Sequence, residues 1–253
     1  MTALFFVISF LASVAGAICG IGGGVIIKPT LDLFHLASVS TVSFLSGCTV
    51  LAMSCYSVGR ALAARDSLVN LRTGTPLAVG AAAGGVLGRQ LFAVVKGLFA
   101  NQNTVGAVQA ACLLVVTLGT LVYTLQKARI KTLRVKRPAA CTAIGLGLGL
   151  MSSFLGIGGG PINLVVLYYF FSMDTKTAAQ NSLYIILFSQ LASLAATLAT
   201  GSVPEFAPPA LVLMIAGGVL GGMAGRAVEK LFILLMLVIV GISCYNTYFY
   251  AVQ

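Results

Sequence analysis

A chain of 253 residues that is 59% hydrophobic and only 8% charged, with a mean hydropathy of +1.05, is too apolar for a soluble domain of this length. Runs of about 20 apolar residues recur along it, the length that crosses a hydrocarbon core of about 30 Å. They are too long for barrel strands, so the sequence reads as an all-α polytopic membrane protein. The net charge of +10 does not indicate nucleic acid. The basic residues sit at segment ends and in the stretch 127–137, where the positive-inside rule and anionic lipid place them.

In chain order, the first hydrophobic segment covers 2–35 and is interrupted by CGIGGGVIIKP at 19–29. Consecutive glycines disfavour helix, each by about 1 kcal/mol relative to alanine, and Lys28 is poorly placed in lipid. Ala15-Gly16-Ala17 has the look of a signal-peptide cleavage site. No lysine or arginine precedes it, however, and the same kind of segment recurs mid-chain, so this helix is expected to stay. Three uninterrupted spans follow at roughly 36–59, 74–96 and 103–125. The basic stretch KARIKTLRVKRP leads into a second broken segment over 139–173, then spans at roughly 176–200, 208–228 and 231–250.

Setting Gly20 against Gly156 aligns GIGGG at 20–24 with GIGGG at 156–160. The pattern GxxxGGxxGR then recurs at 80–89 and 217–226, and Thr41 and Ser46 fall on Thr177 and Ser182. Two glycine patterns agreeing on one offset to within a residue point to an internal duplication. Its repeats are 1–126 and 138–253, with 127–137 as a basic cytoplasmic linker.

The charges favour one topology. Let each broken segment enter the membrane, turn at its glycines and leave by the side it came from. Each repeat then crosses three times net, and the halves are inverted. One side collects Arg60, Arg65, Arg72, the basic residues of 127–137, Lys176, Arg226 and Lys230, leaving Lys28, Arg89 and Lys96 opposite. Continuous first segments give a much weaker bias, so the inverted, re-entrant arrangement is preferred.

Broken backbone is tolerated at membrane depth only where it is buried in protein or lines a cavity. The helices restarting after the glycines would present free amides at Gly22, Gly23, Gly24 and Val25, and again at Gly158, Gly159 and Gly160 ahead of Pro161. Helix N-termini of this kind bind anions, and two would converge near the midplane of inverted repeats. The candidate substrate-binding residues are therefore Gly20, Gly22, Gly23, Gly24, Gly156, Gly158, Gly159 and Gly160. Asn163, Ser46, Thr49, Gln180, Asn181 and Ser182, with Ser43 nearby, could supply hydrogen bonds to an oxyanion, or simply join helices to one another. For GxxxGGxxGR the expected role is close helix packing, with its arginines as interfacial anchors. Lys28 and Asp32 stand four apart on one helix face and are expected to pair; whether Lys28 faces the anion is left open.

The six cysteines form no CxxC pair, so neither a disulfide framework nor zinc is indicated, and the lone His35 has no metal-ligand spacing around it. No cofactor is expected. Of Asp32, Asp66, Asp174, Glu205 and Glu229, only Asp32 falls inside a hydrophobic segment, so the coupling ion is not legible.

With GIGGG twice and the later glycine block twice, nearly the whole chain resembles the TauE/SafE family of sulfite exporters and related anion transporters. The resemblance implies a bacterial inner-membrane, multi-pass protein that moves sulfite, thiosulfate or organosulfonate-class anions without ATP hydrolysis and without catalysis. Gly20–Gly24 and Gly156–Gly160 are the positions matching the family hallmark, although Gly24-Val25 in the first half answers to Gly160-Pro161 in the second. The expected partners are a small sulfur oxyanion and the lipid bilayer, with no nucleic acid and with a homo-oligomer left open. A carboxylate or other small anion, or a non-transporting membrane scaffold, is the alternative. An intramembrane protease is disfavoured, because no histidine base or aspartate pair is embedded.

Overall fold

In the computed structural model residues 2–34, 37–64, 67–98, 102–225, 239–243, 245 and 248 are described. His35, Arg65, Asp66, Arg226, Glu229, Lys230 and most of the expected last span fall outside them. The described residues are mostly helical, with no strand among them. The helices are α1 (Thr2–Cys19), α2 (Gly24–Leu33), α3 (Val39–Ala63), α4 (Leu71–Leu98), α5 (Gln102–Gln126), α6 (Pro138–Leu155), α7 (Pro161–Phe171), α8 (Thr175–Ala199) and α9 (Pro208–Ala224). By length and composition α3, α4, α5, α6 and α8 can cross a membrane, while α1, α7 and α9 are shorter apolar helices.

Local chemistry sets several of these boundaries. Ser38 caps α3 by accepting from the Thr41 amide at 3.2 Å, and Asp174 caps α8 by accepting from the Thr177 amide at 3.4 Å. Both caps satisfy a first-turn donor that the helix itself cannot. Pro138, Pro161 and Pro208 open α6, α7 and α9, where a missing amide costs nothing.

Each short helix folds back on the one before it. The position a Gly23 β-carbon would take lies 2.8 Å from the Ala12 carbonyl oxygen, and Ile27 and Leu31 share a buried cluster with Phe5, Ile8 and Ala12. In a straight helix Ala12 and Ile27 would stand about 22 Å apart. The second hairpin closes more firmly. The amides of Leu133 and Val135, just ahead of α6, donate to the carbonyls of Tyr169 and Phe170 at the end of α7 (2.6 and 2.9 Å). Ser172 Oγ adds a bond to the Leu133 carbonyl at 2.8 Å. Thus α7 returns to the end of the molecule from which α6 set out.

The two halves of the chain interlock through their glycines. In α4, β-carbons on Gly80, Gly84 and Gly88 would fall on the backbone of Thr142, Leu146 and Leu150 in α6, and Gly145 and Gly149 face Leu77 and Ala81 in return. Gly217 and Gly221 of α9, and Gly225 just past its end, lie in the same way against Phe6, Phe10 and Val14 of α1. Gly85 meets Ser189 of α8, and Gly222 meets Met53 of α3. Because lipid tails are as apolar as the side chains, association here relies on close backbone approach, which small residues permit. The glycine block thus does the packing expected of it.

The ends of the molecule differ in charge. Leu68, just before α4, is tied to the start of α8: its amide donates to Gln180 Oε1 at 2.7 Å and its carbonyl accepts from Asn181 Nδ2 at 3.3 Å. At the opposite end, Thr41 near the start of α3 donates to the Glu205 carbonyl at 2.9 Å. Since α6 runs alongside α4 in the same direction, Arg60, Arg72, the basic residues of 127–137 and Lys176 share one end, leaving Arg89 and Lys96 towards the other.

Gly84→Leu should separate α4 from α6 and cost about 1–3 kcal/mol, the usual penalty of overpacking. Gly147→Ala, where no neighbour lies within 4 Å, should leave stability unchanged or raise it. Thermal unfolding of the detergent-purified chain would check both.

Candidate anion site at two helix breaks

Between Cys19 and Gly24, and again between Leu155 and Pro161, the helices stop and restart. Positive φ angles at Gly20 (70°), Gly22 (68°), Gly156 (66°), Gly158 (69°) and Gly159 (124°) make these turns, in a region that residues with a β-carbon adopt only under strain. The outgoing ends are capped locally: Ile21 N donates to Gly16 O at 3.2 Å, and Ile157 N to Ser152 O at 3.3 Å. The incoming ends keep their first-turn amides. Gly23 O already accepts from Ile26 and Ile27 at 3.0 Å each, so the amides before them have no intrahelical partner.

The breaks meet each other. A β-carbon on Gly24 would coincide with the Ile157 carbonyl oxygen, and one on Gly22 would lie 3.3 Å from Gly158 O. Helices α3 and α8 flank this junction with equivalent positions. Gly156 faces Ser43 while Gly20 faces Ala179, and Gly158 faces Val50 while Gly22 faces Ile186. Both partner pairs are separated by 136 in sequence. Ser46 Oγ lies 2.9 Å from the Gly24 β-position, and Ser182 is one turn before Ile186. Both hydroxyls are fully buried, and neither has a hydrogen-bond partner among the described residues; the same holds for Asn163 Oδ1. Unpartnered buried polar atoms are uncommon and call for an explanation, an absent ligand among them.

A charge stands beside the second break. Lys28 of α2 is 3% exposed. Its ammonium donates to Ser43 Oγ at 2.8 Å and to Gln109 Oε1 of α5, and lies 3.4 Å from the Gly156 β-position. Gln109 Nε2 in turn donates to the Phe154 carbonyl at 2.6 Å, which fixes the amide against the end of α6. Asp32, the next turn of α2, lines the same small cavity as Lys28 and Gln109, and its charge acts on Lys28. Among the described residues Lys28 and Asp32 are the charged side chains that are buried.

Two clefts lie at opposite ends of α3 and α8. One lies between the end of α3 and the start of α8, lined by Tyr56, Arg60, Gln180 and Gly222. The other lies between the start of α3 and the ends of α4 and α8, lined by Ser40, Arg89, Lys96 and Thr200. Arg89 stacks over the Phe92 ring at 5.5 Å.

The family profile described as Sulfite exporter TauE/SafE matches residues 5–245. The chain belongs to that family. No curated protein and no solved structure matches it. TauE/SafE membership makes the chain a membrane transporter of the sulfite or sulfur-anion type in general, which agrees with the several membrane-length helices.

Within this TauE/SafE fold the residues singled out in the sequence divide into two sets. Gly20, Gly22, Gly23, Gly24, Gly156, Gly158, Gly159 and Gly160 form the two breaks, which touch at Gly22 and Gly24; Ser46 and Asn163 adjoin them, and Ser182 lies on the α8 face that carries Ala179 and Ile186. Thr49 instead donates to Leu45 O at 2.9 Å and packs under Gly218 of α9. Gln180 and Asn181 hold the α3–α4 loop at one end of α8, so neither reaches the junction, although Gln180 lines a cleft. Gln109 escaped the sequence reading. Its signal was an amide well inside a hydrophobic span, and only tertiary structure shows that it faces Lys28.

Gln109→Leu removes an acceptor from a buried ammonium and should cost about 1.5–3 kcal/mol. Ser43→Ala should cost less, since Gln109 would remain. Thermal melts of the two variants against the parent give the ordering.

Proposed function

We propose that the chain is a secondary transporter of small sulfur-containing oxyanions, sulfite first, with thiosulfate and organosulfonates in the same class. The anion binds between the two glycine-broken helix ends. The observation that carries this reading is the junction itself: two helix N-termini with free amides, from distant parts of the chain, flanked by the unpartnered buried hydroxyls of Ser46 and Ser182. Helix N-termini and hydroxyls donate to oxyanion oxygens without requiring a fixed cation. The Gly24–Ile157 contact closes the space, so the breaks must part to admit the anion. The two clefts, each with an arginine, are the approaches from either side.

The same reading holds that the chain is an inverted duplication of 1–126 and 138–253 about the linker 127–137. The α1–α2 and α6–α7 hairpins are re-entrant, and the basic end faces the cytoplasm of a bacterial inner membrane. Support comes from the return of α7 to the linker, from the recurrence of contacts at one offset, and from the collection of basic residues at one end.

Three measurements test the proposal. Purified protein in liposomes should move sulfite in preference to acetate; equal flux of both would remove the sulfur-anion assignment. Ser46→Ala combined with Ser182→Ala should lower sulfite flux about tenfold, the value of one or two hydrogen bonds to a charged ligand, while melting stays at the parent temperature. Unchanged flux in that variant would move the site elsewhere. In a cysteine-free background, Thr2→Cys and Arg134→Cys should label from opposite faces of the membrane, Arg134→Cys from the cytoplasm. Labelling of both from one face would contradict the inverted arrangement.

A further inference from the structure

The junction of the helix breaks has a charged neighbour on one side only. At the offset that superposes the two glycine motifs, Lys28 answers to Leu164 and Ser43 to Ala179; Leu164 is buried in an apolar cluster with Ile21 and Leu167. The second break therefore faces an ammonium as well as a hydroxyl, where the first faces the Ser46 hydroxyl but no charge. A buried ammonium needs compensation. Ser43 and Gln109 supply acceptors, and Asp32 supplies a charge from the same cavity, yet the side chain is also placed within van der Waals range of Gly156, the residue preceding the Ile157 carbonyl that touches Gly24. An ionisable side chain at membrane depth is kept there at considerable cost and marks a substrate or ion path more often than a strut.

We propose that Lys28 is the direct cationic ligand of the transported oxyanion, and that Asp32 is the internal carboxylate with which the anion competes for it. This rests on the anion-transport reading and adds the residue that gives the site its charge selectivity. With the breaks closed, the Lys28 ammonium is shared among Ser43, Gln109 and the field of Asp32. When the breaks part, an oxyanion reaches the ammonium past Gly156, where the missing β-carbon leaves the approach open, and takes over the compensation that Asp32 provides. Ser43 and Gln109 are positioning residues: they hold the ammonium at the break in both conditions. The Gln109 amide does so while bound to the end of α6, which ties the position of the cation to the hairpin that moves. Because a carboxylate and an oxyanion draw on one ammonium, removing the carboxylate's charge should strengthen anion binding, whereas removing the ammonium should abolish it.

The test uses the full chain, purified in detergent and reconstituted in liposomes, with inorganic sulfite and thiosulfate as probes and both anion-dependent melting shifts and tracer flux as readouts. Lys28→Gln is expected to lose anion affinity at least about tenfold, and Lys28→Arg to keep most of it, because the charge is retained. Asp32→Asn is expected to bind sulfite about tenfold tighter than the parent, even if its melting temperature without anion falls. A purely structural Lys28–Asp32 pair, or a lysine serving only the negative end of α6, would lower stability in these variants and leave affinity alone; that result overturns the proposal. Should Lys28→Gln fail to fold, Asp32→Asn decides the matter, since unchanged or weaker sulfite binding there contradicts competition for the ammonium. If the parent chain binds no sulfur oxyanion at all, the transport reading itself falls. If the parent binds and Lys28→Gln binds equally well, only the role of Lys28 falls.

Discussion

A helix interrupted inside a bilayer leaves amides and carbonyls that lipid cannot satisfy, and the protein must cover them with its own backbone or with a ligand. Most of this architecture follows from that single constraint. The carbonyl ends of α1 and α6 turn back on themselves through Gly20 and Gly156 in the left-handed region, which gives the Gly16 and Ser152 carbonyls local partners. The amide ends of α2 and α7 have no such local remedy. They are brought together and covered by each other, by α3 and by α8. Only glycine allows that approach, because any β-carbon on Gly24 would overlap the Ile157 carbonyl. The same tract that breaks the helices is thus what permits the breaks to meet.

The second glycine pattern serves a different purpose with the same atom count. On α4 and α9 it makes one face of a continuous helix flat, so that backbones touch, and each of these helices lies against a helix from the other half of the chain. The consequence is mechanical. A hairpin such as α6–α7 is gripped along its long arm by α4, while its short arm is held by α8, by α5 and by the linker. Relative movement of the halves therefore acts directly on the position of the breaks. Packing that depends on backbone contact rather than interdigitated side chains is also suited to sliding, since few rotamers have to change.

Much of this was legible beforehand because it was written in glycine. Apolar runs gave the described helices to within a few residues and the repeated GIGGG located both breaks, whereas the Ser38 and Asp174 caps that set where α3 and α8 start emerged only in the structure. Polar residues were harder, because on an apolar helix a hydroxyl or amide has no periodic partner to say which way it faces. Thr49 and Ser46 are three residues apart on α3, yet one bonds its own helix and the other looks towards Gly24. Gln180, Asn181 and Ser182 are consecutive, so a helix necessarily sends them in three directions, and only Ser182 takes the face shared with Ala179 and Ile186. Gln109 drew no attention for the same reason: its meaning lies in Lys28, which is 81 residues away.

The two halves depart from each other where the chemistry is most demanding, and that asymmetry bears on how an anion would be held. Two identical half-sites would offer equal attraction from both sides and no fixed orientation. Here α7 begins with Pro161, which removes one amide from the donor set that α2 retains at Val25, and α2 carries the ammonium for which α7 has Leu164. The fuller set of amide donors and the positive charge thus both lie with α2, whereas the hydroxyls of Ser46 and Ser182 are distributed evenly between α3 and α8. A tetrahedral or pyramidal oxyanion has oxygens enough to use all of these at once, but only in one orientation, with its most charged face towards α2. Motion that carries α2 relative to α6 would then move the cation with the anion while changing which cleft the pair can reach. At the proposed site, an asymmetric charge within a nearly symmetric scaffold would give a bound anion a preferred direction, which two equal helix ends alone do not provide.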